Sequence, residues 1–107
     1  MTDVPILIGE HWLHPEVDQA GPVHNPATGE VIGRVPLCGA AEVDQAVAEA
    51  QRAFAAWGNT PPPKRARVLF RYRELLEVHF EEISRLIATE NGKTLDEARG
   101  DLRRGVE

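Results

Sequence analysis

Two hydrophobic patterns divide the 107-residue chain near residue 40. Before this point the apolar runs are short and bounded by proline and glycine, which is typical of hairpins. Beyond it the apolar residues recur every three or four positions, as on one face of an amphipathic helix. The patterns therefore predict an α/β chain, with a hairpin arm over residues 1–38 and a helical part over residues 41–107.

The first 37 residues contain two candidate hairpins, over residues 5–13 and 23–35. The first is expected to turn at Gly9-Glu10. The second is expected to turn at Pro26–Gly29, because proline fixes φ and glycine accepts a positive φ, as a reversing turn requires.

The helical part is predicted to hold three amphipathic helices, the first over about residues 41–57. The second is the longest, with one continuous apolar stripe from Val68 to Ile87 and a bend expected near His79. Thr60 is expected to cap its start, because a threonine hydroxyl can accept a bond from a free helix N–H. Asn91-Gly92 is expected to end it, since glycine adopts the left-handed conformation that closes helices.

The third helix is expected to begin near Leu95, because Thr94 and Glu97 have the spacing of a capping box. Its apolar stripe stops at Glu107 before any residue that would end a helix. All three stripes also require more covering surface than two short hairpins provide. We therefore expect the chain to continue beyond Glu107, and part of the covering surface to lie outside these residues.

Composition narrows the classes of function. Apolar residues make up 42% and charged residues 27%, as in ordinary folded domains, and a net charge of −5 disfavours nucleic acid and anionic membranes as partners. No segment has the roughly 20 apolar residues of a transmembrane helix, and the start lacks the pattern of a signal or transit peptide. A single cysteine excludes an internal disulfide, so a cytoplasmic location is expected.

The histidines and the cysteine do not predict a metal site or a nucleophile. His11 and His14 are three residues apart in a strand and should face opposite sides, while His24 and His79 belong to different elements. Cys38 has no histidine nearby in sequence that would activate it, and we interpret it as an inert small hydrophobic residue. Neither a phosphate-binding loop nor a G-x-G-x-x-G segment occurs, so no cofactor-binding residue is assigned.

A basic cluster marks the start of the second helix. We interpret it as a solvated face that pairs with Glu74 and Glu77, and an anionic ligand or acids of another subunit are the alternatives. Its members are Lys64, Arg65, Arg67, Arg71 and Arg73.

Arg104 is the candidate binding residue. A helical wheel places it about 180° from Leu95, away from the apolar stripe, and Gly100 and Gly105 on either side leave room for a ligand. The planar fork of its guanidinium suits a carboxylate, which can accept two parallel hydrogen bonds. A salt bridge to Asp101 on a solvated face is the alternative.

Several motifs, in order and at characteristic spacing, resemble the aldehyde dehydrogenase superfamily. They cover its N-terminal signature, its first two helices and its Glu-x-Gly-Lys turn, and they span nearly the whole chain. The matching segments are Asn25–Gly33 with Val35-Pro36, Glu42–Val47 with Ala53–Trp57, Arg65–Leu69, and Glu90–Thr94. The resemblance implies that residues 1–107 are an N-terminal, incomplete segment of a Rossmann-like cofactor-binding domain.

The last ten residues resemble one branch of that superfamily. Ala98–Asp101 and Arg103–Glu107 are similar to the CoA-acylating methylmalonate-semialdehyde dehydrogenases. In that branch the arginine that matches Arg104 is implicated in holding the substrate carboxylate.

For the complete enzyme the resemblance implies NAD-dependent oxidation of a malonate- or methylmalonate-type semialdehyde. A catalytic cysteine would form a thioester, CoA would accept the acyl group with loss of CO₂, and the enzyme would be a homotetramer or dimer. The family's catalytic cysteine, oxyanion-hole asparagine and NAD-binding segments match nothing in residues 1–107, so the chain alone is expected to be inactive. Two alternatives stay open: another branch, such as succinate-semialdehyde dehydrogenase, and a stand-alone helical interaction module.

Overall fold

Five short strands precede four helices along the chain, and the computed structural model describes all residues from Met1 to Glu107. The strands are β1 (Thr2–Asp3), β2 (Ile6–Ile8), β3 (His11–Leu13), β4 (Ala20–His24) and β5 (Val31–Pro36). The helices are α1 (Ala40–Trp57), α2 (Pro62–Val78), α3 (Phe80–Asn91) and α4 (Leu95–Val106). These elements form two units, one comprising Met1–His24 and Val31–Thr60, the other Asn25–Glu30 and Pro61–Glu107.

Both predicted hairpins are confirmed. β2 and β3 pair in antiparallel fashion across a turn in which Gly9 has a φ of 63°. β4 and β5 also pair in antiparallel fashion, and Gly29 in the turn between them has a φ of 77°. Glycine adopts these left-handed angles because it has no Cβ to clash with the backbone.

The first strand was not predicted. β1 pairs with β5 in parallel, so the three-stranded sheet has the order β1-β5-β4. The Val4 amide extends this pairing by donating a 2.9 Å hydrogen bond to the Arg34 carbonyl. A two-residue strand is too short to show an alternating pattern, and its partner lies about 30 residues away along the chain.

Helix α1 matches its predicted range and buries none of its residues. Its start is held by Glu42, whose carboxylate accepts a 2.9 Å hydrogen bond from the Gly39 amide. Its apolar stripe is largely open to solvent, with Phe54 71% exposed.

The long second helix of the prediction is two helices, so the chain has four helices rather than three. His79, with φ −99° and ψ 16°, separates α2 from α3 at the position where a bend was expected. The His79 amide still donates to Leu75 and the Ile83 amide to the His79 carbonyl, both at 3.0 Å. The apolar stripe runs on through the break, so the sequence indicated a bend at His79 but not two separate helices.

The predicted cap at Thr60 is wrong. Its hydroxyl donates to the Ala56 carbonyl at 3.1 Å, and α2 begins instead after Pro61 with prolines in its first turn. Pro61, and not Thr60, occupies the N-cap position of α2, and no side chain accepts from its first amides. Proline compensates in part, since it lacks an N–H that would need a cap.

The predicted junction between the last two helices is confirmed. Gly92 adopts the left-handed conformation, with φ 68°, and ends α3. Thr94 and Glu97 form the capping box at the start of α4: the Glu97 amide donates to Thr94 Oγ1 at 3.3 Å, and the Thr94 amide donates to Glu97 Oε2 at 3.0 Å.

The apolar stripe of α4 is the best covered surface of the second unit. Ala98 is fully buried, Leu102 is 9% exposed and Val106 is 8% exposed. Ser84 of α3 is also fully buried, and its hydroxyl has no hydrogen-bond partner. None of the four helices combines the length and apolarity needed to cross a bilayer.

Candidate functional site

Two of the three arginines of α4 are engaged by acids of neighbouring helices. Arg99 donates from Nε and Nη2 to the two carboxylate oxygens of Glu81, at 2.7 and 2.8 Å, and from Nη1 to Asp96 at 2.8 Å. Arg103 donates to Glu77 at 2.6 Å and lies 4.4 Å above the centre of the Phe80 ring. All three nitrogens of Arg99 are used, and Arg103 is held between an acid of α2 and the Phe80 ring.

The Arg99 bonds change the protonation equilibria of the groups they join. Hydrogen bonds from Arg99 lower the pKa of Glu81, and hydrogen bonds to Glu81 and Asp96 raise the pKa of Arg99. Both shifts favour the charged forms, as expected for a bidentate pair.

Arg104 is held differently. Its side chain is 73% exposed, and a single nitrogen, Nη2, donates to Asp101 one turn earlier on the same helix. The salt bridge to Asp101, left open as an alternative from the sequence, is therefore present. Nε, Nη1 and the second hydrogen of Nη2 keep donors that no protein group accepts.

Asp101 joins two cations. Its Oδ1 accepts from Arg104, and its Oδ2 accepts from the Lys93 ammonium. The hydrogen bond from Lys93 is the main cause that lowers the pKa of Asp101, and the charge of Arg104 adds to it. The aspartate is therefore ionised at neutral pH and fixed from two sides.

These side chains surround a shallow open depression of about 260 Å³, lined by Lys93, Glu97, Gly100, Asp101 and Arg104. A Cβ on Gly100 would lie 4.0 Å from Arg104 Nη1, and a Cβ on Gly105 would meet nothing within 4 Å. Gly100 thus leaves the guanidinium approachable from the side of the depression.

The depression contains two cations and two carboxylates. Which ligand the depression can bind depends on the hydrogen bonds that each carboxylate already accepts. Glu97 Oε2 accepts from the Thr94 amide at 3.0 Å and from its hydroxyl at 2.9 Å, and these bonds lower the pKa of Glu97. Asp101 accepts from Lys93 and Arg104. Both carboxylates already accept hydrogen bonds, whereas Arg104 and the Lys93 ammonium each keep unused donors, so the arrangement can bind one further carboxylate.

The other candidates from the sequence lie apart from this depression. His79 Nδ1 lies 2.9 Å from Glu82 Oε2, and His11, His14 and His24 are exposed. No three His, Cys, Asp or Glu side chains lie close enough together to hold a metal ion. Cys38 is half-buried, with Sγ 3.9 Å from the Pro36 carbonyl.

The predicted pairing of the basic cluster of α2 with Glu74 and Glu77 is wrong. Glu77 pairs with Arg103 of α4, and none of the five basic side chains of the cluster forms an ion pair. Helical spacing placed Glu77 within reach of its own helix, but a neighbouring helix supplied a better placed guanidinium.

Sequence reasoning missed Lys93 as a member of the site. It lies eight residues before Asp101 and outside α4, and its ammonium reaches Asp101 past the capped start of that helix. Gly92 ends α3 and the Thr94 capping box starts α4, so together they fix the direction of the backbone at Lys93. Both features could be recognised in the sequence.

Residues 12–107 match the aldehyde dehydrogenase family over most of the chain. The chain belongs to the aldehyde dehydrogenase family. A relative named malonate-semialdehyde dehydrogenase, from Bacillus pumilus, is 46% identical over 109 residues, which cover 99% of this chain and 22% of the relative. The chain spans about a fifth of the length of the relatives it matches.

Solved structures of the family share the fold. Methylmalonate-semialdehyde dehydrogenase from Oceanimonas doudoroffii has 47% identity and a TM-score of 0.92, over 99% of this chain and 22% of that one. A protein from Sinorhizobium meliloti assigned to the same enzyme type, in complex with NAD, has 35% identity and a TM-score of 0.91, over 97% of this chain and 21% of that one. The predicted α/β aldehyde dehydrogenase fold is thereby confirmed.

Proposed function

We propose that this chain is the N-terminal part of an NAD-dependent, CoA-acylating dehydrogenase that oxidises malonate or methylmalonate semialdehyde. The names of the relatives at 46% and 47% identity support the substrate class, and the NAD complex of the Sinorhizobium meliloti protein supports the cofactor. CoA as acyl acceptor rests on the resemblance of Ala98–Glu107 to the acylating branch.

The observation that carries the proposal is the state of Arg104. A semialdehyde of this class carries a carboxylate a few bonds from its aldehyde carbon, so an enzyme that selects it needs a cation placed away from the reacting atoms. Arg104 is exposed, lies off the buried stripe and has unused donors beside an open depression. Arg99 and Arg103, by contrast, are engaged by Glu81 and Glu77.

In this role Arg104 would bind and orient the substrate rather than take part in bond making. Two parallel N–H bonds to one carboxylate fix its plane and its distance, which restricts where the aldehyde group can lie. The interaction would be present in both the ground state and the transition state, so its loss should raise KM more than it lowers kcat.

The residues of this chain do not fit NAD. A dinucleotide pyrophosphate usually binds free backbone N–H groups at a helix N-terminus that follows a strand. At the strand-to-helix connection between β5 and α1, the Glu42 carboxylate accepts from the Gly39 amide at 2.9 Å, which places a negative charge where a pyrophosphate would have to approach. We therefore assign NAD and CoA binding to the remainder of the enzyme and infer that residues 1–107 alone are inactive.

The remainder of the enzyme would also cover the open helices. α1 and α2 bury no residue, and their apolar side chains include Phe54 at 71% exposed and Leu69 at 68% exposed. We infer that these faces pack within a cofactor-binding domain of which this chain is one segment.

Replacement of Arg104 by Leu in the complete enzyme tests the proposal. We expect kcat/KM for malonate semialdehyde to fall about 10- to 100-fold, as when a hydrogen bond to a charged group is lost, and kcat/KM for propanal to stay unchanged. Propanal has the same three carbons but no carboxylate.

Arg85→Leu is the matched control, because Arg85 is an exposed arginine of α3 without an ion pair. It should leave both substrates unaffected. Equal losses on both substrates with Arg104→Leu, or no loss on either, would contradict the assignment of Arg104 and favour another branch of the family.

A further inference from the structure

The position of Arg104 depends on one contact. With 73% of its side chain exposed, packing does little to restrict its torsions, and the Nη2 bond to Asp101 is its single hydrogen bond within the chain. A long exposed arginine without such a bond samples many rotamers, most of which point the guanidinium elsewhere.

We propose that Asp101 is a positioning residue for carboxylate recognition: it draws the Arg104 guanidinium back over Gly100, while Lys93 fixes Asp101. This inference rests on the proposed function, since it concerns the same substrate carboxylate. Asp101 itself touches no substrate atom.

The geometry leaves the required edge of Arg104 free. Asp101 lies one turn before Arg104 on α4, so the bond pulls the guanidinium towards the depression. Because Asp101 takes only one hydrogen of Nη2, the other Nη2 hydrogen forms one free two-donor edge with Nη1 or Nε, and the missing side chain at Gly100 keeps Nη1 accessible.

Lys93 is what makes this arrangement stable. It stands between Gly92, which has the left-handed conformation that ends α3, and Thr94, which caps α4, so both neighbours have a fixed backbone. Its ammonium holds the second oxygen of Asp101 and so prevents the carboxylate from rotating away from Arg104. It also offsets the negative charge of Asp101, which would otherwise repel a substrate carboxylate.

Asp101→Ala in the complete enzyme is the main test. If Asp101 positions Arg104, the substrate must order a free side chain when it binds, and KM for malonate semialdehyde should rise about 3- to 10-fold with little change in kcat. Kinetic constants for propanal should not change. Asp101→Asn retains one oxygen that can accept from Arg104 but loses the one that Lys93 holds, so its KM should lie between those of the wild type and Asp101→Ala.

The matched control is Asp96→Ala. Asp96 and Arg99 form the same aspartate–arginine pair three residues apart on the same helix, at 2.8 Å, but away from Arg104. Loss of this pair should leave both KM values unchanged. A purely structural role of aspartates on α4 would instead make the two alanine variants behave alike.

A double-mutant cycle completes the test. In the Arg104→Leu background, Asp101→Ala should cause no further change in KM, because no guanidinium is left to position. An unchanged or lower KM in the single Asp101→Ala variant, an equal rise for propanal, or additive effects in the cycle would overturn the inference. If Arg104→Leu changes selectivity and Asp101→Ala does not, this inference fails alone; if Arg104→Leu has no effect, the proposed function loses its binding site.

Discussion

Helices α1 and α4 have the same kind of amphipathic sequence and opposite degrees of burial. α4 buries Ala98, Leu102 and Val106, whereas α1 buries no residue and leaves Phe54 71% exposed. The difference lies in the neighbours, because α4 packs against α3 within the same unit. An apolar stripe therefore shows which face of a helix must be covered, but not whether the covering residues belong to the same stretch of chain.

The contacts of α4 include both buried apolar side chains and exposed ion pairs. Ala98, Leu102 and Val106 of α4 are buried, while the exposed Arg99–Glu81 pair joins α4 to α3 and the Arg103–Glu77 pair joins α4 to α2. Exposed ion pairs contribute little to stability because water and salt screen them. We infer that apolar burial stabilises the contact and that the bidentate Arg99–Glu81 pair mainly fixes how the two helices align.

The largest expected effect would test whether α1 is covered in the complete enzyme. Under the proposed function, Phe54→Ala should destabilise the complete enzyme by about 3–5 kcal/mol, the usual effect of truncating a buried phenylalanine. In the 107-residue chain the same change should cost less than about 0.5 kcal/mol, because the ring is exposed there. Urea unfolding followed by circular dichroism would measure both.

Arg52→Ala provides the comparison on the polar face of α1, where the side chain is 73% exposed. It should have a small effect in both proteins. Small effects of Phe54→Ala in both would mean that α1 stays open in the enzyme, and this would favour the stand-alone module instead.

A second prediction sharpens the contrast between covered and open leucines within one unit. Leu102→Ala on α4 should cost about 2–4 kcal/mol, because Leu102 is 9% exposed. Leu86→Ala on α3 should cost less than about 1 kcal/mol in the 107-residue chain, because Leu86 is 55% exposed. Amide hydrogen exchange measures this locally: protection of α4 amides should fall about 30- to 1,000-fold with Leu102→Ala and only a few-fold with Leu86→Ala. Equal losses would show that the contact is not held by apolar burial.

The same contrast explains how much the sequence could predict. Local signals were sufficient for both hairpins, for α1 and for the capping box at Thr94, because each depends on residues within a few positions of one another. The separation at His79 was predicted only as a bend in one helix, because the apolar stripe runs on through it. The sequence does not show whether the Thr60 hydroxyl bonds to α1 or to α2, and in the structure it bonds to α1.

The candidate site was also predicted only in part. The helical wheel placed Arg104 on the exposed face of α4, and Asp101 was named as its partner. The role of Lys93 and the bond from Arg99 to Glu81, 18 residues apart, depend on how α4 turns back along α3. Such contacts follow from tertiary packing, and the spacing of residues along a single helix does not predict them.

The smallest expected effect concerns acid, which should loosen α4 at its start. Hydrogen bonds from Thr94 lower the pKa of Glu97 below its ordinary value of 4.5. Its contribution to stability is therefore complete above pH 4.5 and is lost as the pH falls from 4.5 through the lower pKa of the folded state, because the unfolded chain takes up the proton first. The ¹³Cα shifts of Leu95 and Asp96 should move towards coil values over that range.

Glu97→Gln should show weaker helical shifts at pH 7 and a flatter acid profile, whereas Glu90→Gln, which removes no ion pair, should follow the wild type. Identical profiles for wild type and Glu97→Gln would mean that the carboxylate of the capping box does not hold the start of α4.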